Sequence, residues 1–356
     1  MLRAVLAAAA VWIGACGGDE QAPLFGITND QPVSLGTMTP ERYAAELNAA
    51  GAGVARVQVN WIEAEPDAPG VWRNRAYHER LGAALREQGI RPLLVVIGSP
   101  RWAQDPADER WCAYGRSVGI RQCFNPPARE RDPAWAEFVA GAVEIYRQAD
   151  PVAIEVWNEP NARSFWLGGP DPGRYVELLC RAHEAVRRSD PDLPVISAGM
   201  HLHPADPPHY LGAAGYIASV YSAGGGRCMD GVGVHPYSFR NDLEDLPTWE
   251  AVIDDARRAT SEAGDGSTPL WITEIGEHTG GAPSPVDPDR QAAGLVAAWE
   301  KLRNRGDIRA FIVHTLVDNR ATGSDYGLLD AAGRRKPAYC QLRRAVTGEN
   351  GCPPAR

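Results

Sequence analysis

Apolar and polar positions follow two alternating patterns from about residue 24 to residue 346. Short apolar runs, each the length of a buried strand, are separated by longer stretches whose apolar positions recur at helical spacing. The strand-like runs are 24–28, 54–59, 91–97, 153–157, 194–198, 231–235, 270–273 and 308–314. A helical pattern follows each run, so the chain is predicted to contain eight strand–helix units.

The helical stretches carry start and stop signals. Thr39 and Asp132 each precede a proline, which predicts an N-cap followed by proline in the first helical position. Gly89 and Gly264 each follow an amphipathic stretch and predict its end. Apolar strands that alternate with helices are typical of a parallel sheet covered on both faces. Eight repeats favour a closed (β/α)8 barrel, with a doubly wound open sheet as the alternative.

The chain is longer than a minimal barrel requires, and the excess lies mainly in three connections that follow strands. These are residues 98–131, 201–209 and 275–287. In (β/α)8 barrels such connections line the face on which active sites are built. No linker or change of composition divides the chain, so residues 23–346 are predicted to form one catalytic domain and residues 347–356 a C-terminal tail.

The N-terminus has the pattern of an export signal. Arg3 is followed by an apolar stretch over residues 4–13 and by small residues that lead to Cys16. This pattern predicts a signal peptide over residues 1–15, with an apolar run too short to span a bilayer. Ile13-Gly14-Ala15-Cys16 resembles a bacterial lipobox, which implies lipid attachment at Cys16, a tether over residues 16–22 and a membrane partner. The alternative is an ordinary cleaved signal, which would make the protein secreted.

Six of the seven cysteines remain when Cys16 is set aside. An even number in an exported chain predicts up to three disulfides, which fifteen different pairings could provide. Proximity along the chain favours Cys112–Cys123 and Cys340–Cys352, which leaves Cys180–Cys228. No spacing of cysteine and histidine is typical of a zinc site.

Composition excludes several classes of function. The chain of 356 residues has 36 basic and 45 acidic side chains, a net charge of −9, and no basic stripe that would bind nucleic acid. Its only lysines are Lys301 and Lys336, so it lacks the Gly-Lys pair of a phosphate-binding loop. Glycine patterns typical of dinucleotide binding are absent, and we predict no metal or organic cofactor.

Two glutamates stand where predicted strands end. Glu159 follows the fourth strand and Glu274 follows the seventh. The ends of parallel barrel strands open toward the same mouth, so these carboxylates are expected to meet there. Paired carboxylates in one cleft suit the cleavage of glycosidic bonds, in which one protonates the leaving oxygen and the other attacks or activates water. The alternative is that each is a solvated carboxylate without a catalytic role.

The surroundings of both glutamates resemble clan A glycoside hydrolases. Trp157-Asn158-Glu159-Pro160-Asn161 resembles the strand-4 motif of that clan, and Thr273-Glu274-Ile275-Gly276 resembles its strand-7 motif. Arg56 on the second strand and His235-Pro236-Tyr237 on the sixth extend the resemblance. It covers about residues 24–345 and is nearest to families 5 and 39, between which the sequence does not decide.

The resemblance implies a role for each matching residue. Glu159 is implied to be the general acid and base, and Glu274 the nucleophile, of a retaining double displacement on β-linked carbohydrate. Asn158 is implied to bind the sugar 2-hydroxyl. Arg56 and Tyr237 are implied to contact Glu274, and His235 to line the same wall. A guanidinium and a phenol beside Glu274 would lower its pKa. We expect the two carboxyl groups to lie about 5–5.5 Å apart.

The sequence departs from the clan at the eighth strand, where a tryptophan usually forms the floor of the sugar site. Residues 311–316 contain none, and His314 either replaces it as a polar sugar contact or is structural. Tryptophans in segments after strands are predicted to stack on sugar rings. They are Trp61, Trp102, Trp111 and Trp166. Trp271 is predicted to pack between barrel and helices, and Trp299 within a helix core.

Two competing interpretations concern other residues. His201, His203 and His209 after the fifth strand hint at a metal site, but the strand-end aspartate and lysine ligands that usually complete one are missing. The second interpretation is a surface lipoprotein that binds glycan without cleaving it, which the missing strand-8 tryptophan favours. Sugar identity, linkage and endo or exo action stay open at this stage.

Overall fold

The computed structural model describes residues 22–28, 31–117, 119, 122–201, 211–238, 243, 246–280, 284–319 and 325–353. The predicted signal peptide, Cys16 and all but the last residue of the predicted tether lie outside these residues. Within the described part of the chain, no helix is long and apolar enough to cross a bilayer.

Eight parallel strands form one sheet in the described residues. They are β1 Leu24–Thr28, β2 Val54–Asn60, β3 Arg91–Ile97, β4 Ala153–Val156, β5 Val195–Ser197, β6 Val232–Val234, β7 Leu270–Ile275 and β8 Ile308–Val313. Their order is β5-β4-β3-β2-β1-β8-β7-β6. Parallel bridges from Ile196 to Gly231 and from Met200 to Val234 bring β5 and β6 together. The sheet is therefore a nearly closed barrel, and the open-sheet alternative is wrong.

The approach of β5 and β6 depends on a glycine. A Cβ atom at Gly233 would lie 2.6 Å from the backbone nitrogen of Gly199 and 2.7 Å from the backbone oxygen of Ser197. Any larger residue at this position would push the two strands apart. The hydroxyl of Ser197 accepts a hydrogen bond from Gly233 N–H at 3.1 Å, which fixes the approach on the other strand.

Helices in the described residues cover the outside of the barrel. They are α1 Gln31–Ser34, α2 Pro40–Ala49, α3 Trp61–Ala64, α4 Arg75–Glu87, α5 Glu109–Ser117, α6 Asp132–Tyr146, α7 Pro172–Ser189, α8 Ala213–Ser222, α9 Leu246–Glu262, α10 Pro288–Leu302 and α11 Pro337–Thr347. One long helix follows each strand, whereas α1, α3 and α5 lie within the connections after β1, β2 and β3. This is the (β/α)8 barrel that the sequence pattern predicts, in a single domain.

Most predicted helix ends agree with the structure, and one does not. Thr39 accepts a hydrogen bond from Arg42 N–H and caps α2 as predicted. The prediction that Asp132 caps α6 is wrong by one residue, because the helix begins at Asp132 and Arg131 precedes it without a side-chain cap. The Asp132 carboxylate instead accepts from the buried guanidinium of Arg174 at 2.9 Å, so it is not available to the helix terminus.

The barrel interior has an apolar lower part and a polar upper part. The apolar part contains Val54, Leu93, Val152, Ala153, Ile196, Trp271, Ala310 and Ile312. Trp271 therefore fills the inside of the barrel, and its predicted place between barrel and helices is wrong. Alternation along β7 explains this, because Trp271 and Thr273 share the inward face. Trp299 lies in the outer core as predicted, with its ring centroid 5.6 Å from that of Phe25.

The two disulfides favoured by proximity, and the third that they leave, are all present. The Cα–Cα distances are 5.1 Å for Cys112–Cys123, 4.9 Å for Cys180–Cys228 and 5.0 Å for Cys340–Cys352. The first closes the long connection after β3, the second ties α7 to the turn before β6, and the third ties the tail to α11. Three structural disulfides fit a protein of an oxidising compartment.

Candidate active site

The chain leaves β4 through two residues with left-handed backbone conformations. Trp157 has a φ of 75° and Glu159 a φ of 44°, in a region that residues other than glycine seldom occupy. Glu159 N–H donates to Gly199 O at 3.1 Å, which holds this turn against the end of β5. Because of the turn, β4 ends at Val156, one residue earlier than predicted, and both Asn158 and Glu159 line the mouth of the barrel.

Glu274 lies near the end of β7 among hydrogen-bond donors. Arg56 Nη1 donates to Oε1 at 2.6 Å, and the Tyr237 hydroxyl donates to Oε2 at 2.7 Å. The Nδ1 atoms of His235 and His314 lie 3.9 and 3.8 Å from Oε2. Burial alone would raise the pKa of Glu274, but the neighbouring imidazole and guanidinium groups and the phenolic hydrogen bond hold that pKa well below its usual value. The carboxylate is therefore ionised at neutral pH.

Arg56 is held in place by a second carboxylate beneath it. Its Nε and Nη2 atoms donate to the two oxygens of Glu155 at 2.7 and 3.0 Å, and Glu155 is fully buried. Nη2 also donates to Asn158 Oδ1 at 2.9 Å. Burial lowers the pKa of Arg56, but Glu155 and Glu274 raise it above its usual value. One permanently charged guanidinium, held by Glu155, therefore orients two side chains of the mouth, Glu274 and Asn158.

Glu159 is paired with His235, and both are buried. His235 Nδ1 lies 2.8 Å from Glu159 Oε1, and Nε2 lies 3.1 Å from Thr273 Oγ1. The Thr273 hydroxyl in turn donates to Glu155 Oε1 at 3.0 Å. Burial lowers the pKa of His235, but the negative charges of Glu274 and Glu159 raise it above its usual value. The two halves of the site are thus joined beneath the mouth.

The two glutamates approach each other closely. One oxygen of Glu159, one oxygen of Glu274 and a ring nitrogen of His235 all lie within 4.8 Å of one another. In the described parts of the chain, this is the group of acidic and histidine side chains arranged so that a metal ion could bind. Arg56 and Tyr237 already donate to the two oxygens of Glu274 at 2.6 and 2.7 Å, so the arrangement suits a carboxylate that reacts with an electrophilic carbon better than one that binds a cation.

His201 after β5 is not part of this group of side chains. His201 is described, and its backbone N–H donates to Asn161 Oδ1 at 2.8 Å. His203 and His209 lie outside the described residues.

A cavity of about 1420 Å³ opens above the two glutamates. It extends toward the connections after β1, β2 and β3 and reaches β8 on its other side. Apart from the two glutamates, its side chains include Gln31, Gln58, Asn60, Glu63, Gln122, Asn158, Phe165, His314 and Asn319. The uncharged polar side chains among them can bind hydroxyl groups, and Leu35, Ile62 and Tyr77 add apolar surface to the same cavity.

Part of the cavity wall is a hydrogen-bonded group of amides around one carboxylate. Gln122 Nε2 donates to Glu63 Oε1 at 2.7 Å, and Asn60 Nδ2 donates to Gln122 Oε1 at 3.2 Å. Gln122 directly precedes Cys123, whose disulfide with Cys112 fixes that connection. The wall is therefore preorganised, because its polar groups are oriented before any ligand arrives.

His314 stands beside Glu274 at the end of β8, where the missing tryptophan was expected. Its ring centroid lies 6.3 Å from that of Tyr237 and 5.2 Å from that of Tyr326. Among the described residues its Nδ1 has no hydrogen-bond partner. Burial lowers the pKa of His314 and raises that of Tyr326 to about 12, so both side chains are neutral at pH 7. The floor of the mouth is thus polar.

The tryptophans expected to stack on sugars do not face the cavity. Trp61 is fully buried, with its ring stacked 5.4 Å from Phe138 and its indole N–H bonded to Glu65 Oε2 at 2.9 Å. The expectation for Trp61 is wrong because α3 begins directly after β2 and turns this side chain into the outer core. Trp102 packs edge-on against Trp61 at 5.4 Å, donates to Glu65 O at 2.7 Å and is not among the lining residues.

The other two predicted stacking residues are also engaged elsewhere. Trp166 is 2% exposed and packs in the outer core. The ring of Trp111 lies 4.8 Å from the guanidinium carbons of Arg110 and Arg163. A tryptophan that follows a strand in the sequence can therefore face the mouth or pack behind it, and its position alone does not predict which.

Sequence reasoning missed the residues that support the centre from below. Glu155 lies in the middle of an apolar strand and Thr273 stands directly before Glu274, so neither was predicted to belong to the site. Glu155 is the one charged residue of β4, and burial of a charge in the middle of a strand was the signal that it has a partner inside the barrel. Gln122 in the wall had no distinguishing sequence signal.

No protein-family profile matches the chain, and no curated protein matches it significantly. Solved structures do match. A family 39 glycoside hydrolase from the gut symbiont Bacteroides cellulosilyticus WH2 matches with a TM-score of 0.67 and 22% identity over 92% of this chain and 64% of that one. A GH5_18 protein from Streptomyces cattleya, in complex with Manβ1-4GlcNAc, matches with a TM-score of 0.65 and 17% identity over 94% and 83%.

The barrel has the fold of the clan A glycoside hydrolases. An exo-β-1,4-mannosidase from Opitutaceae bacterium strain TAV5 also matches, with a TM-score of 0.62 and 15% identity over 92% of this chain and 60% of that one. This chain thus spans less than two thirds of the family 39 protein and of the mannosidase.

Proposed function

We propose that this protein is a retaining glycoside hydrolase for β-linked oligo- or polysaccharide, with Glu274 as nucleophile and Glu159 as general acid and base. The approach of their oxygens within 4.8 Å is the observation that carries the proposal. Retaining enzymes hold their carboxyl groups about 5–5.5 Å apart, whereas inverting enzymes leave about 6.5–9.5 Å for a water molecule. The approach within 4.8 Å is between one oxygen of each of the two groups, and it supports the shorter, retaining separation.

In the first step, an oxygen of Glu274 attacks the anomeric carbon while the bond to the leaving oxygen breaks. The proton on Glu159 passes to that oxygen, and a glycosyl ester forms on Glu274. Two observations support these roles. Arg56 and Tyr237 keep Glu274 ionised and oriented at 2.6 and 2.7 Å, as a nucleophile requires. Among the described residues Glu159 has no arginine or lysine at such a distance, and its partner is His235, whose Nδ1 lies 2.8 Å from Oε1.

In the second step, Glu159 takes a proton from water, the hydroxyl oxygen attacks the anomeric carbon, and the ester bond to Glu274 breaks. The sugar leaves with its original configuration. In this scheme Asn158 forms a hydrogen bond with the sugar 2-hydroxyl. Its Oδ1 is occupied by Arg56 at 2.9 Å, so its amide NH₂ is the group that donates to the sugar. His235, Tyr237 and Arg56 complete the wall around the reacting carbon.

The cavity supports the proposed substrate class. A volume of about 1420 Å³ exceeds the range of about 300–1,000 Å³ that is usual for small ligands, which supports a substrate of more than one sugar ring. The lining offers amides and carboxylates, and its cations are paired with acids, so neutral sugars fit better than uronic acids. The complex and the mannosidase among the similar structures support β-linked hexoses.

His314 is proposed to contact the sugar in the site nearest the nucleophile. It lines the cavity, and its Nδ1 lies 3.8 Å from Glu274 Oε2. A neutral imidazole there offers a hydrogen bond where a tryptophan would offer an apolar face. Trp102, which packs behind the wall, is proposed to support the sugar site rather than to stack on the sugar.

We further propose that the protein is exported and attached to the cell envelope through a lipid on Cys16. The sequence pattern of residues 1–16 supports this proposal, and the three disulfides fit export. Metabolic labelling with a palmitate analogue tests it, with Cys16→Ala as the control. Label that persists in Cys16→Ala would contradict attachment at this residue.

Hydrolysis of a panel of aryl β-glycosides and of β-linked oligosaccharides tests the main proposal. On activated aryl substrates, Glu159→Ala with azide should give the β-glycosyl azide, and Glu274→Ala with azide should give the inverted product. Glu46→Ala is the matched control, since Glu46 is 4% exposed but lies in α2 away from the cavity. The opposite pattern of azides would exchange the two roles.

A second candidate function is glycan binding without cleavage. The observation that favours it is the polar His314, which lines the cavity at the end of β8, where the clan usually has a stacking tryptophan. Glycan binding without cleavage predicts that calorimetry detects the binding of oligosaccharides while no member of the panel is cleaved. That combination of results would replace the hydrolase proposal.

A further inference from the structure

Glu155 is a buried acceptor from which both catalytic glutamates are organised. Its side chain is fully buried inside the barrel. Besides its two bonds from Arg56, its Oε1 accepts from Gly199 N–H at 2.8 Å and from the Thr273 hydroxyl at 3.0 Å. The hydrogen bonds from Glu155 through Arg56 to Glu274 form one branch, here called the Arg56 branch. Those from Glu155 through Thr273 and His235 to Glu159 form the other, the Thr273 branch.

The direction of each hydrogen bond on the Thr273 branch is fixed by proton counting. Glu155 is the ion-pair partner of Arg56 at 2.7 Å, and a carboxylate can only accept. The single proton of the Thr273 hydroxyl therefore points to Glu155. Thr273 Oγ1 is left as an acceptor for His235 Nε2, 3.1 Å away. The proton of that contact must come from the imidazole, so Nε2 is protonated.

We infer that Thr273 is a positioning residue that keeps the His235 proton on Nε2, so that one proton is shared between His235 Nδ1 and Glu159 Oε1. The inference rests on the proposed function in taking Glu159 as the acid and base. In the neutral ring Nδ1 has only a lone pair, and its 2.8 Å contact requires an O–H on Glu159. In the charged ring the same proton lies on Nδ1 and Glu159 is ionised.

The fixed tautomer matters after the proton has gone to the leaving group. The ionised Glu159 then faces the lone pair of Nδ1 without a proton between them, which is unfavourable in a buried site. Glu159 relieves this contact by taking a proton from the attacking water. The tautomer therefore strengthens Glu159 as the base of the second step and keeps it protonated for the first.

The Thr273 hydroxyl, which accepts from His235 Nε2, lies in a closely packed part of the barrel. Thr273 is fully buried. A Cβ atom at Gly199 would lie 2.0 Å from His235 Nε2 and 2.6 Å from Thr273 Oγ1, so the backbone of Gly199 closes the contact from one side.

Other charged and titratable groups also face the shared proton. Glu274 lies 3.9 Å from His235 Nδ1, and the more distant ones are Arg56, Tyr237, His314 and Tyr326. None of them bonds to His235 Nε2, so replacing Thr273 leaves their contacts in place. A change on the Thr273 branch alone is therefore separable from a change at the nucleophile.

Thr273→Val removes the hydroxyl at nearly the same volume, which leaves Nε2–H without its acceptor. His235 then gains by moving its proton to Nδ1, where it donates to ionised Glu159. Loss of the shared proton becomes easier, and the basic limb of the pH profile of kcat/KM should move down by about one pH unit. The acidic limb, which reports Glu274, should stay. Thr273→Ser retains the hydroxyl and should restore the basic limb.

Thr260→Val is the matched control, since Thr260 is also fully buried but lies in α9 and bonds to Arg257 O at 2.8 Å. It should move neither limb. A Thr273→Val profile with an unmoved basic limb, or with both limbs displaced equally, would overturn the inference.

Nitrogen-15 NMR of labelled histidine tests the tautomer without any assay of activity. In the wild type, His235 should keep a proton on Nε2 at every pH, while Nδ1 is the nitrogen that titrates. In Thr273→Val the neutral ring should carry its proton on Nδ1. A wild-type neutral ring protonated on Nδ1 would refute the inference even if the protein cleaves glycans. An absence of cleavage with Nε2 protonated would refute only the proposed function.

Discussion

Replacing Glu155 by glutamine is the perturbation that the structure allows to be worked out most fully. Glu155 accepts two hydrogen bonds from Arg56, one from Gly199 and one from Thr273, and three of the four reach the same oxygen, Oε1. A glutamine whose carbonyl oxygen takes the place of Oε1 keeps those three. Its NH₂ group then stands where Oε2 accepts from Arg56 Nε at 2.7 Å, and two donors oppose each other.

The loss is therefore one charge-assisted bond and the counter-charge of a buried guanidinium. Such a bond contributes about 1.5–3 kcal/mol, and Arg56 still has Glu274 as a partner, so we expect a total loss of about 3 kcal/mol of unfolding free energy. A chain of this size unfolds with about 0.7 kcal/mol of entropy per degree, so the Tm should fall by about 4 °C. Glu274 and Asn158 lose the rigid donor that orients them, and kcat should fall about 100-fold.

Thermal unfolding and hydrolysis of an activated aryl glycoside measure the two effects separately. Glu46→Gln is the matched control, because Glu46 is 4% exposed and accepts from Arg335 Nη2 at 3.0 Å, outside the cavity. It should lower the Tm by a similar amount and leave kcat as in the wild type. The reasoning is refuted if Glu155→Gln loses the same stability but keeps kcat within about threefold of the Glu46→Gln value.

Three further changes have directions set by single contacts. Tyr237→Phe removes the 2.7 Å donor to Glu274, which should raise the pKa of Glu274 and move the acidic limb of kcat/KM up by about one pH unit; an unmoved limb would contradict this. Gln122→Ala should raise KM for oligosaccharides about tenfold with little change in kcat, whereas a fall in kcat alone would show that Gln122 is no part of a binding wall. Burial lowers the pKa of His78 to about 4, so the unfolded state binds the extra proton, and the wild type should lose about 3 kcal/mol more stability than His78→Gln between pH 7 and pH 4. Parallel curves for the two proteins would show that His78 is not buried in its neutral form.

The barrel was predictable because its signal is periodic and repeated eight times. An error of one residue in any strand, such as the end of β4, does not change the architecture. The orientation of individual aromatic side chains was less accessible. Trp61 follows directly after a predicted strand and Trp271 lies within one. Trp61 nevertheless turns outward on the short helix α3, whereas Trp271 turns inward on β7. Such choices depend on register and on helix starts that a single sequence does not contain.

The catalytic candidates were accessible for a different reason. Glu159 and Glu274 stand at strand ends, and parallel barrel strands bring such positions together whatever their separation along the chain. The residues beneath them gave weaker signals, because their role exists only as a set. Glu155 and Thr273 can be recognised as a pair only when it is known that they lie at the same height on the inward faces of β4 and β7. That height depends on the stagger of the strands in the closed barrel.

Under the proposed function, polar side chains of the mouth bind the sugar by hydrogen bonds more than aromatic rings bind it by stacking. His314 stands on the floor of the mouth, Trp61 and Trp166 are buried in the outer core, and the wall consists of amides held around Glu63. An apolar platform tolerates many sugars, because every pyranose has a face that can lie on a ring. Buried polar groups that must each find a partner penalise a sugar that lacks one hydroxyl far more strongly, by up to about 10⁴-fold. Under the proposed function, we therefore expect a narrow range of substrates, because His314 stands where a stacking tryptophan would accept many sugars.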